Sequence, residues 1–451
     1  MPANEGVVRR LPGVFEETKT ALSGFEARLE AERCLECGGP YAPAPCLKAC
    51  PASVDVPGFV GAIARGEPGT AATIIWRENV LGGTCARVCP TEMLCEGHCV
   101  LLHEGRRPVE IGRLQRYATD YGLQEGIPLR KAVPLTKDKI AVIGAGPAGL
   151  TAAGELAARG FRVTVFEGRK EAGGLVRFAI APYRQHIEPI PQEVAALKRM
   201  GVELRLGEPI DTPEKLAELE TSYSAIVLGV GLGKDVEVHY QGDHLEGVWD
   251  SLPFIEALKT GKTVRVGERV AVIGGGNTAM DVAREALRLG ATEVTVLYRR
   301  TEAEMPAFPH EVAEAREEGV HFQWLTLPLG FVGKHRLEAI KCQYVQLGEP
   351  DESGRRKPVP VPGTEFKIPA DTVIKAIGQR PRIEFLRWIG GLEVKNDQIQ
   401  VDPESGQTGN PMYFAAGDAT GGATVVEAVR GAKRVARGIE EYLATRMEVA
   451  S

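Results

Sequence analysis

The sequence contains no apolar run of membrane-spanning length, and its start, MPANEGVVRRLPGVFEETKTALSGFEARLE, lacks the apolar segment found in secretory leaders. It also lacks an excess of basic residues, because 54 Lys and Arg against 60 Asp and Glu give a net charge of −6 at pH 7. These absences argue against a membrane role and against nucleic acid as a partner. We therefore expect a cytoplasmic protein.

Cysteine is scarce beyond residue 99, where only Cys342 occurs, whereas the first 99 residues hold the other eight of the nine cysteines. The cytoplasm is reducing, so clustered cysteines there are more often metal ligands or catalytic groups than disulfides. Cys342 lies in the strand-like stretch EAIKCQYVQL and is most simply a small buried hydrophobe.

The chain of 451 residues is long enough for about three domains. Residues 1 to about 130 have the apolar spacing of helices. From about residue 138, β-branched runs such as KIAVIG, RVTVFE and DTVIKAIG alternate with Ala/Leu-rich amphipathic stretches, which predicts an α/β fold built from βαβ units. Residues 139–169 align with 269–300 after one inserted residue, so this part contains two nucleotide-binding units. The Pro/Gly-rich stretch 347–363 predicts an exposed hairpin or loop without chemistry of its own.

The first unit has the glycine pattern of a dinucleotide site. Gly144, Gly146 and Gly149 form G-x-G-x-x-G between a strand and a helix, where backbone N–H groups can approach a pyrophosphate. Glu167 ends the next strand, where a carboxylate can bind ribose hydroxyls. The alternative is a glycine turn in an α/β fold that binds no nucleotide.

The second unit keeps the glycines but loses the carboxylate. It fills G-x-G-x-x-A with Gly274, Gly276 and Ala279. Tyr298 replaces the acid and is followed by Arg299 and Arg300, which suits a ribose 2′-phosphate and favours NADPH over NADH. The alternative is that the two arginines pair with the acids of TEAE just downstream.

The stretch MYFAAGDATGGATVVEAV near the C-terminus resembles the two-dinucleotide-domain flavoproteins of the disulfide-reductase type. That resemblance implies that Asp418 binds the ribityl or pyrophosphate side of FAD and that the following helix N-terminus faces the flavin. It also assigns FAD to the first unit and inserts the NAD(P) domain between the two halves of the FAD domain. Alternatively, Asp418 is only a helix N-cap.

The two glycine units and the resemblance define the predicted nucleotide sites. For FAD they are Gly144, Gly146, Pro147, Ala148, Gly149, Glu167, Gly173, Gly174, Leu175, Gly417, Asp418, Ala423, Thr424 and Val425. For NAD(P)H they are Gly274, Gly275, Gly276, Asn277, Thr278, Ala279, Arg299 and Arg300. The predicted domains are a helical domain at 1–130, a split FAD-binding domain at 138–245 and 371–451, and an NAD(P)H-binding domain at 246–370.

The cysteines form two runs with iron–sulfur spacing. The first is Cys34-x2-Cys37-x8-Cys46-x3-Cys50-Pro and the second is Cys85-x3-Cys89-Pro-x5-Cys95-x3-Cys99. Ferredoxin-type runs share the x3-C-P ending and send their last cysteine to the other cluster, so eight cysteines suit two [4Fe–4S] clusters. Zinc is the alternative, although zinc sites usually bring two short cysteine pairs and only one is present.

The cysteine pattern, GAGPAGL, GGGNTAMD, YRRTEAEMP and AAGDATGGATVVEAV together resemble the glutamate synthase small subunit family over about residues 30–445. That family includes the NADPH-oxidising part of dihydropyrimidine dehydrogenase and the large subunit of the bifurcating NADH-ferredoxin:NADPH oxidoreductase. The resemblance implies FAD, NAD(P)H, two [4Fe–4S] clusters and electron transfer to a partner. No barrel-like repeat or N-terminal amidotransferase nucleophile is evident, so the substrate site is expected on a partner chain.

The dihydropyrimidine dehydrogenase pattern also implies a ligand set. One cluster takes Cys34, Cys37, Cys46 and Cys99; the other takes Cys50, Cys89, Cys95 and Gln115, and Cys85 is not a ligand. Glutamate is common at the Gln115 position in the other members, so Gln115 favours a dihydropyrimidine dehydrogenase partner over a glutamate synthase large subunit or ferredoxin. By itself, Gln115 could be an ordinary polar residue on a helix.

The gap GGPYAPAP before Cys46 is longer than usual and is expected to bulge outward. A hypothesis of another class is a non-redox zinc and nucleotide-binding scaffold.

Overall fold

The computed structural model describes residues 15–39, 41–351 and 354–450, with side chains to residue 446. The chain divides into two compact units. The main unit comprises Glu17–Arg177, Arg184–Gly233 and residues 381–450, and the inserted unit comprises residues 15–16, Phe178–Tyr183 and Lys234–Arg380.

Helices and strands follow the periodicity of the sequence. The α-helices are α1 Gly24–Ala31, α2 Pro45–Ala49, α3 Val56–Ala64, α4 Pro68–Glu78, α5 Gly82–Val88, α6 Ile111–Gln124, α7 Pro147–Ala158, α8 Gly174–Phe178, α9 Ile190–Arg199, α10 Pro213–Ser222, α11 Ser251–Lys259, α12 Asn277–Arg288, α13 Pro309–Glu317, α14 Ile383–Leu386 and α15 Val425–Ala450. The strands are β1 Lys139–Ile143, β2 Arg162–Glu167, β3 Glu203–Leu206, β4 Ala225–Leu228, β5 Lys234–Asp235, β6 Val248–Asp250, β7 Arg269–Ile273, β8 Glu293–Leu297, β9 His321–Gln323, β10 Thr326–Gly333, β11 Leu337–Pro350, β12 Arg356–Pro369, β13 Thr372–Lys375, β14 Gln379–Arg380, β15 Val394–Lys395, β16 Gln398–Ile399 and β17 Tyr413–Ala415.

The main unit joins the helical N-terminal region to a parallel sheet of strand order β17-β4-β1-β2-β3. The central strand β1 is buried at four of its five residues, as expected where helices cover both faces of a parallel sheet. Helix α15 packs against α7, which follows the first glycine loop. The predicted α/β class is therefore confirmed.

The inserted unit repeats this design with a parallel sheet of order β6-β13-β7-β8-β9, beside an antiparallel sheet β10-β11-β12. The β11–β12 ladder runs through Leu347 and Pro358, so the Pro/Gly-rich stretch is a hairpin, with residues 352 and 353 outside the described residues. Cys342 on β11 is fully buried beside Phe331 and Ile340, in agreement with its predicted role as a small hydrophobe.

The predicted domain boundaries at 245 and 371 differ from the division of the chain in the structure, which falls at 233/234 and 380/381. The reason is strand pairing: β13 pairs with β7 and β6, and β14 pairs with β5. Residues 371–380, assigned from sequence to the FAD domain, therefore belong to the inserted unit.

Within the ranges the structure describes, no helix combines the length and the apolarity needed to cross a bilayer.

Candidate cofactor sites

The first glycine loop requires glycine at two of its three positions for steric reasons. Gly144 has φ 99°, and a Cβ there would lie 2.5 Å from the Gly229 carbonyl oxygen. A Cβ on Gly149 would lie 1.9 Å from the Gly144 carbonyl oxygen. Gly146 differs, because its nearest neighbour would be the Gly174 Cα at 3.8 Å. Its open side is therefore available to a ligand at the N-terminus of α7.

Glu167 ends β2 beside this loop, as predicted. One of its carboxylate oxygens accepts a hydrogen bond from the Ala145 N–H (2.8 Å) and the other accepts one from the Arg169 N–H (2.8 Å). Each oxygen retains a lone pair, so the carboxylate can still accept a bond from a ribose hydroxyl.

Three distant segments meet at the first loop. The Gly173 N–H donates to the Ala145 carbonyl oxygen at 2.8 Å, and a Cβ on Gly174 would lie 2.8 Å from the Gly146 Cα. Gly417 has φ 82°, and a Cβ there would lie 2.9 Å from the Ala148 Cβ. The segments predicted to hold FAD thus form one cradle. Sequence reasoning overlooked Gly229, although GVG after a strand resembles a glycine loop.

Asp418 does not cap α15. Thr424 and Glu427 do so, since the Glu427 N–H donates to the Thr424 hydroxyl oxygen (3.3 Å) and the Ala423 N–H donates to the Glu427 carboxylate (3.0 Å). Burial, together with the neighbouring Glu427 charge, raises the pKa of Asp418 to about 6. None of the described residues donates a hydrogen bond to the Asp418 carboxylate. A hydroxyl-bearing ligand would supply the missing donor, so Asp418 fits its predicted place in an FAD site.

The second glycine loop is built in the same way. Gly274 has φ 139°, and a Cβ there would lie 2.1 Å from the Ala376 carbonyl oxygen. Gly275 lies under the Tyr298 ring, whose Cε2 would be 2.5 Å from an added Cβ. Gly276 has no heavy atom within 4 Å of that position, so its open side can receive a ligand. Sequence reasoning noted only that Tyr298 replaces the carboxylate of the first unit. In the structure its ring packs against Gly275 and supports the loop.

Other predicted residues of this loop also make contacts within the protein. The Asn277 side-chain oxygen accepts a hydrogen bond from the Phe308 N–H at 2.9 Å. Ala279 is fully buried on α12, and Thr278 is half-buried.

The two predicted phosphate-binding arginines have different surroundings. Arg299 is exposed. Arg300 is buried, donates to the Arg356 carbonyl oxygen (2.7 Å) and pairs with the Asp351 carboxylate (2.5 Å). Arg300 therefore holds the β11–β12 hairpin, which leaves Arg299 as the arginine free to meet a 2′-phosphate.

In the structure, the two acids of TEAE pair with arginines other than Arg299 and Arg300. Glu302 pairs with Arg316 at 2.6 Å, and Glu304 pairs with Arg356 and accepts a bond from Thr301. Arg300 instead pairs with Asp351.

Four cysteines from both runs line one pocket: Cys34, Cys37, Cys46 and Cys99. Apolar residues such as Val56 and Val60 complete its wall. Burial, together with the nearby Cys34 and Cys99 thiolates, raises the pKa of Cys46 to about 11. A cubane cluster needs four thiolates around a dry space, so this pocket fits a [4Fe–4S] cluster.

The long gap before Cys46 bulges outward, as predicted. The Gly39 N–H donates to the Ala42 carbonyl oxygen at 3.0 Å, which closes a tight turn. Tyr41 at its tip is 99% exposed. Pro40 lies outside the described residues. The extra length is therefore taken up at the surface, and Cys46 remains in the pocket.

A second group contains Cys50, Cys89 and Cys95. Burial raises the pKa of Cys50 and of Cys95, and the Cys89 thiolate adds to the rise in both. Cys85 lies one turn before Cys89 and is buried. A hydrogen bond with the Cys85 thiol, together with burial, raises the pKa of Cys89 well above its usual value. Cys85 therefore touches this group through Cys89.

Gln115 on α6 packs beside the first residue of α5, Gly82. Its amide nitrogen donates to the Gly82 carbonyl oxygen at 2.7 Å. This bond fixes the orientation of the amide and leaves the side-chain oxygen, the atom that could bind iron, without a donor among the described residues.

Among the side chains described, those of residues 15–39, 41–351 and 354–446, no three Cys, His, Asp or Glu are gathered closely enough to bind a single metal ion.

Two contacts within the main unit tie the second cysteine group to the helices of the FAD cradle. Glu193 on α9 accepts hydrogen bonds from the Gly83 N–H (2.9 Å) and the Thr84 hydroxyl (2.6 Å) at the start of α5. Burial raises the pKa of Glu193 to about 7. Lys433 on α15 donates to the Ala52 carbonyl oxygen at 2.8 Å. Sequence reasoning missed both residues, because each contacts a partner more than a hundred positions away.

Two family models match the chain. The pyridine nucleotide-disulphide oxidoreductase model matches residues 138–435, and the model of dihydropyrimidine dehydrogenase domain II with a 4Fe-4S cluster matches residues 12–127. Together they imply FAD, NADPH and [4Fe–4S] chemistry, which confirms the predicted cofactors.

The chain is also similar to characterised proteins. It is 38% identical to the glutamate synthase [NADPH] small chain of Halomonas elongata, over 95% of this chain and 93% of that protein. It is 39% identical to the NADP(+)-dependent formate dehydrogenase subunit beta of Moorella thermoacetica, over 90% of this chain but only 60% of that protein. Among solved structures, FprA of Mycobacterium tuberculosis in complex with NADPH matches with a TM-score of 0.58 and 20% identity, over 70% of this chain and 86% of FprA. At that identity the likeness concerns the fold alone.

Proposed function

The chain belongs to the glutamate synthase small subunit family of NADPH-dependent flavin and iron–sulfur oxidoreductases, and on that premise we propose that it is the electron-input subunit of a larger cytoplasmic enzyme. NADPH binds at the second glycine loop and FAD at the first. FAD supplies hydride acceptance, and two [4Fe–4S] clusters supply single-electron transfer to a partner subunit. Hydride transfer needs no side-chain acid or base, so we assign no catalytic residue.

The observation that carries this proposal is the sorting of the cysteines into two groups that mix the two runs. We assign one cluster to Cys34, Cys37, Cys46 and Cys99, and the other to Cys50, Cys89, Cys95 and Gln115. The shared pocket supports the first set. The oriented amide of Gln115 beside α5 supports the second. Cys85, buried against Cys89, is the competing eighth ligand.

Within the proposed sites each residue has a binding task. The backbone at Gly146 and Gly276 approaches the two pyrophosphates, and Glu167 and Asp418 accept bonds from FAD hydroxyls. Arg299 meets the 2′-phosphate of NADPH. Glu193 and Lys433 hold the second cysteine group against the FAD cradle, which supports that group as the nearer acceptor of electrons from the flavin.

We propose a dihydropyrimidine dehydrogenase catalytic subunit as the partner, because Gln115 is the ligand type that the resemblance assigns to that enzyme. A glutamate synthase large subunit is the second candidate, favoured by the similarity over 93% of a glutamate synthase small chain. Ferredoxin is a further possible acceptor. Anaerobic copurification from native cells, followed by assays of NADPH-dependent pyrimidine reduction and of glutamate formation, distinguishes these partners.

The absorbance spectrum tests the proposed cofactors. Protein purified anaerobically is expected to show flavin bands over a broad iron–sulfur shoulder, and both should bleach on addition of NADPH, since one chain holds donor site, flavin and clusters. The measurement is an anaerobic absorbance titration with iron and flavin quantified. A colourless, zinc-containing protein would refute the proposal in favour of the scaffold hypothesis.

Arg299 is proposed to bind the 2′-phosphate of NADPH, which NADH lacks. Arg299→Ala is expected to raise the KM for NADPH by about tenfold or more, because a hydrogen bond to a charged group contributes about 1.5–3 kcal/mol. The KM for NADH should stay unchanged. Stopped-flow reduction of the flavin by each nucleotide measures both. The control is Arg336→Ala, an exposed arginine of the same unit whose partner Glu246 is also exposed. Equal losses with both nucleotides, or better use of NADH by the unaltered protein, would contradict the assignment.

A further inference from the structure

A lysine outside both cysteine runs contacts the second cysteine group. The Lys19 ammonium donates to the Cys89 carbonyl oxygen at 2.8 Å and to the Thr91 hydroxyl oxygen at 2.9 Å. Its side chain is 24% exposed, and the Glu92 carboxylate lies 3.6 Å away. A cation is therefore fixed at the backbone of a proposed cluster ligand.

The segment that carries Lys19 is itself held in place by α6. Arg113 donates to the Thr20 carbonyl oxygen at 3.0 Å and to its hydroxyl oxygen at 3.1 Å. Arg116 donates to the Lys19 carbonyl oxygen and pairs with Glu17 at 2.7 Å. The ammonium is thus positioned by contacts on both sides, and its place does not depend on a mobile side chain alone.

The Lys19 ammonium places a positive charge at the second cysteine group, because it contacts the backbone of Cys89 directly. Two acids act in the opposite direction: Glu92, whose side chain is 42% exposed, and Glu96, which accepts a hydrogen bond from the Gly112 N–H at 2.8 Å. Solvent screens the exposed carboxylate more strongly than the less exposed ammonium.

We propose that Lys19 is a positioning residue that raises the reduction potential of the cluster held by Cys50, Cys89 and Cys95. When that cluster gains one electron its net charge falls by one, so a fixed neighbouring cation stabilises the reduced state relative to the oxidised one. The cluster then accepts electrons more readily from the flavin. This inference rests on the proposed function, because it requires a cluster at these cysteines.

The test compares Lys19→Gln and Lys19→Met, which remove the charge, with Lys19→Arg, which keeps it. Glutamine can still donate to the Cys89 carbonyl oxygen, so it separates charge from hydrogen bonding. The control is Lys198→Gln, an exposed lysine of the main unit. The midpoint potential of each cluster is measured by anaerobic redox titration followed by electron paramagnetic resonance, and repeated in a Cys46→Ser background to isolate the second cluster.

We expect both neutral variants to lower the equilibrium constant for reduction of the second cluster about tenfold, which is about 59 mV for one electron. The first cluster, the Lys19→Arg variant and the control should keep their potentials. Unchanged potentials in the neutral variants, or equal shifts of both clusters, would overturn the inference. Loss of the second cluster from both neutral variants would also overturn it, since Lys19 would then serve assembly. Absence of iron from the unaltered protein would instead refute the proposed function.

Discussion

Cys46→Ser is expected to remove about half of the iron, because one of two four-iron clusters loses a thiolate. Cys46 lines the pocket with Cys34, Cys37 and Cys99, and no other cysteine lines it. FAD should remain bound, since its cradle is built from other segments. NADPH should therefore still reduce the flavin, while electron delivery to the partner is lost. Iron analysis, flavin analysis and reduction kinetics measure the three effects.

The matched controls for this experiment come from the chain itself. Cys99→Ser should cause the same half-loss of iron, although Cys99 belongs to the other run. Cys342→Ser should cause none, because Cys342 is buried in β11 of the inserted unit. Full iron content in Cys46→Ser would exclude Cys46 as a ligand. A loss of iron from Cys85→Ser with none from Gln115→Leu would make Cys85 the eighth ligand.

Substitution of Gly146 or Gly276 is expected to weaken binding of FAD or NADPH to a similarly large degree. Gly146→Ala is expected to lower FAD content at least about tenfold, and Gly276→Ala is expected to raise the KM for NADPH by a similar factor with FAD and iron unchanged. Their φ angles of −78° and −92° suit alanine. No atom lies closer than 3.8 Å to the added methyl group at either position, so the fold tolerates it and the ligand does not.

Each of these variants is the control for the other, because the loops lie in different units. Flavin absorbance and steady-state kinetics with NADPH measure the two effects. Gly149→Ala is a useful contrast, since its Cβ would lie 1.9 Å from the Gly144 carbonyl oxygen and should destabilise the fold itself. Retention of FAD by Gly146→Ala together with normal NADPH kinetics in Gly276→Ala would contradict both site assignments.

Local patterns predicted the fold class and both glycine loops, because strand, turn and helix signals lie within thirty residues of one another. The domain boundaries depended on which sheet β13 joins, and its β-branched sequence suits either sheet equally. Pairing with β7, about a hundred residues earlier, decides the matter. Periodicity carries no information about such long-range pairing.

The same limit applies to the sites. The residue type at Arg300 suggested phosphate binding, whereas its partner Asp351 lies 51 positions away and could not be inferred. The pocket of Cys34, Cys37, Cys46 and Cys99 agrees with the grouping that the resemblance implied, which spacing alone left open. Lys19 and Glu193 stand in no motif, and only tertiary packing brings them to the cysteines.

Helix α15 begins beside the FAD cradle and, two turns later, presents Lys433 to the carbonyl of Ala52, two residues beyond Cys50. The proposed flavin site and the second cysteine group therefore lie in one compact unit. We expect heating to release flavin and iron in a single transition. We expect the inserted unit, which we propose binds NADPH, to melt separately, so that protein without NADPH binding keeps its flavin and iron–sulfur absorbance.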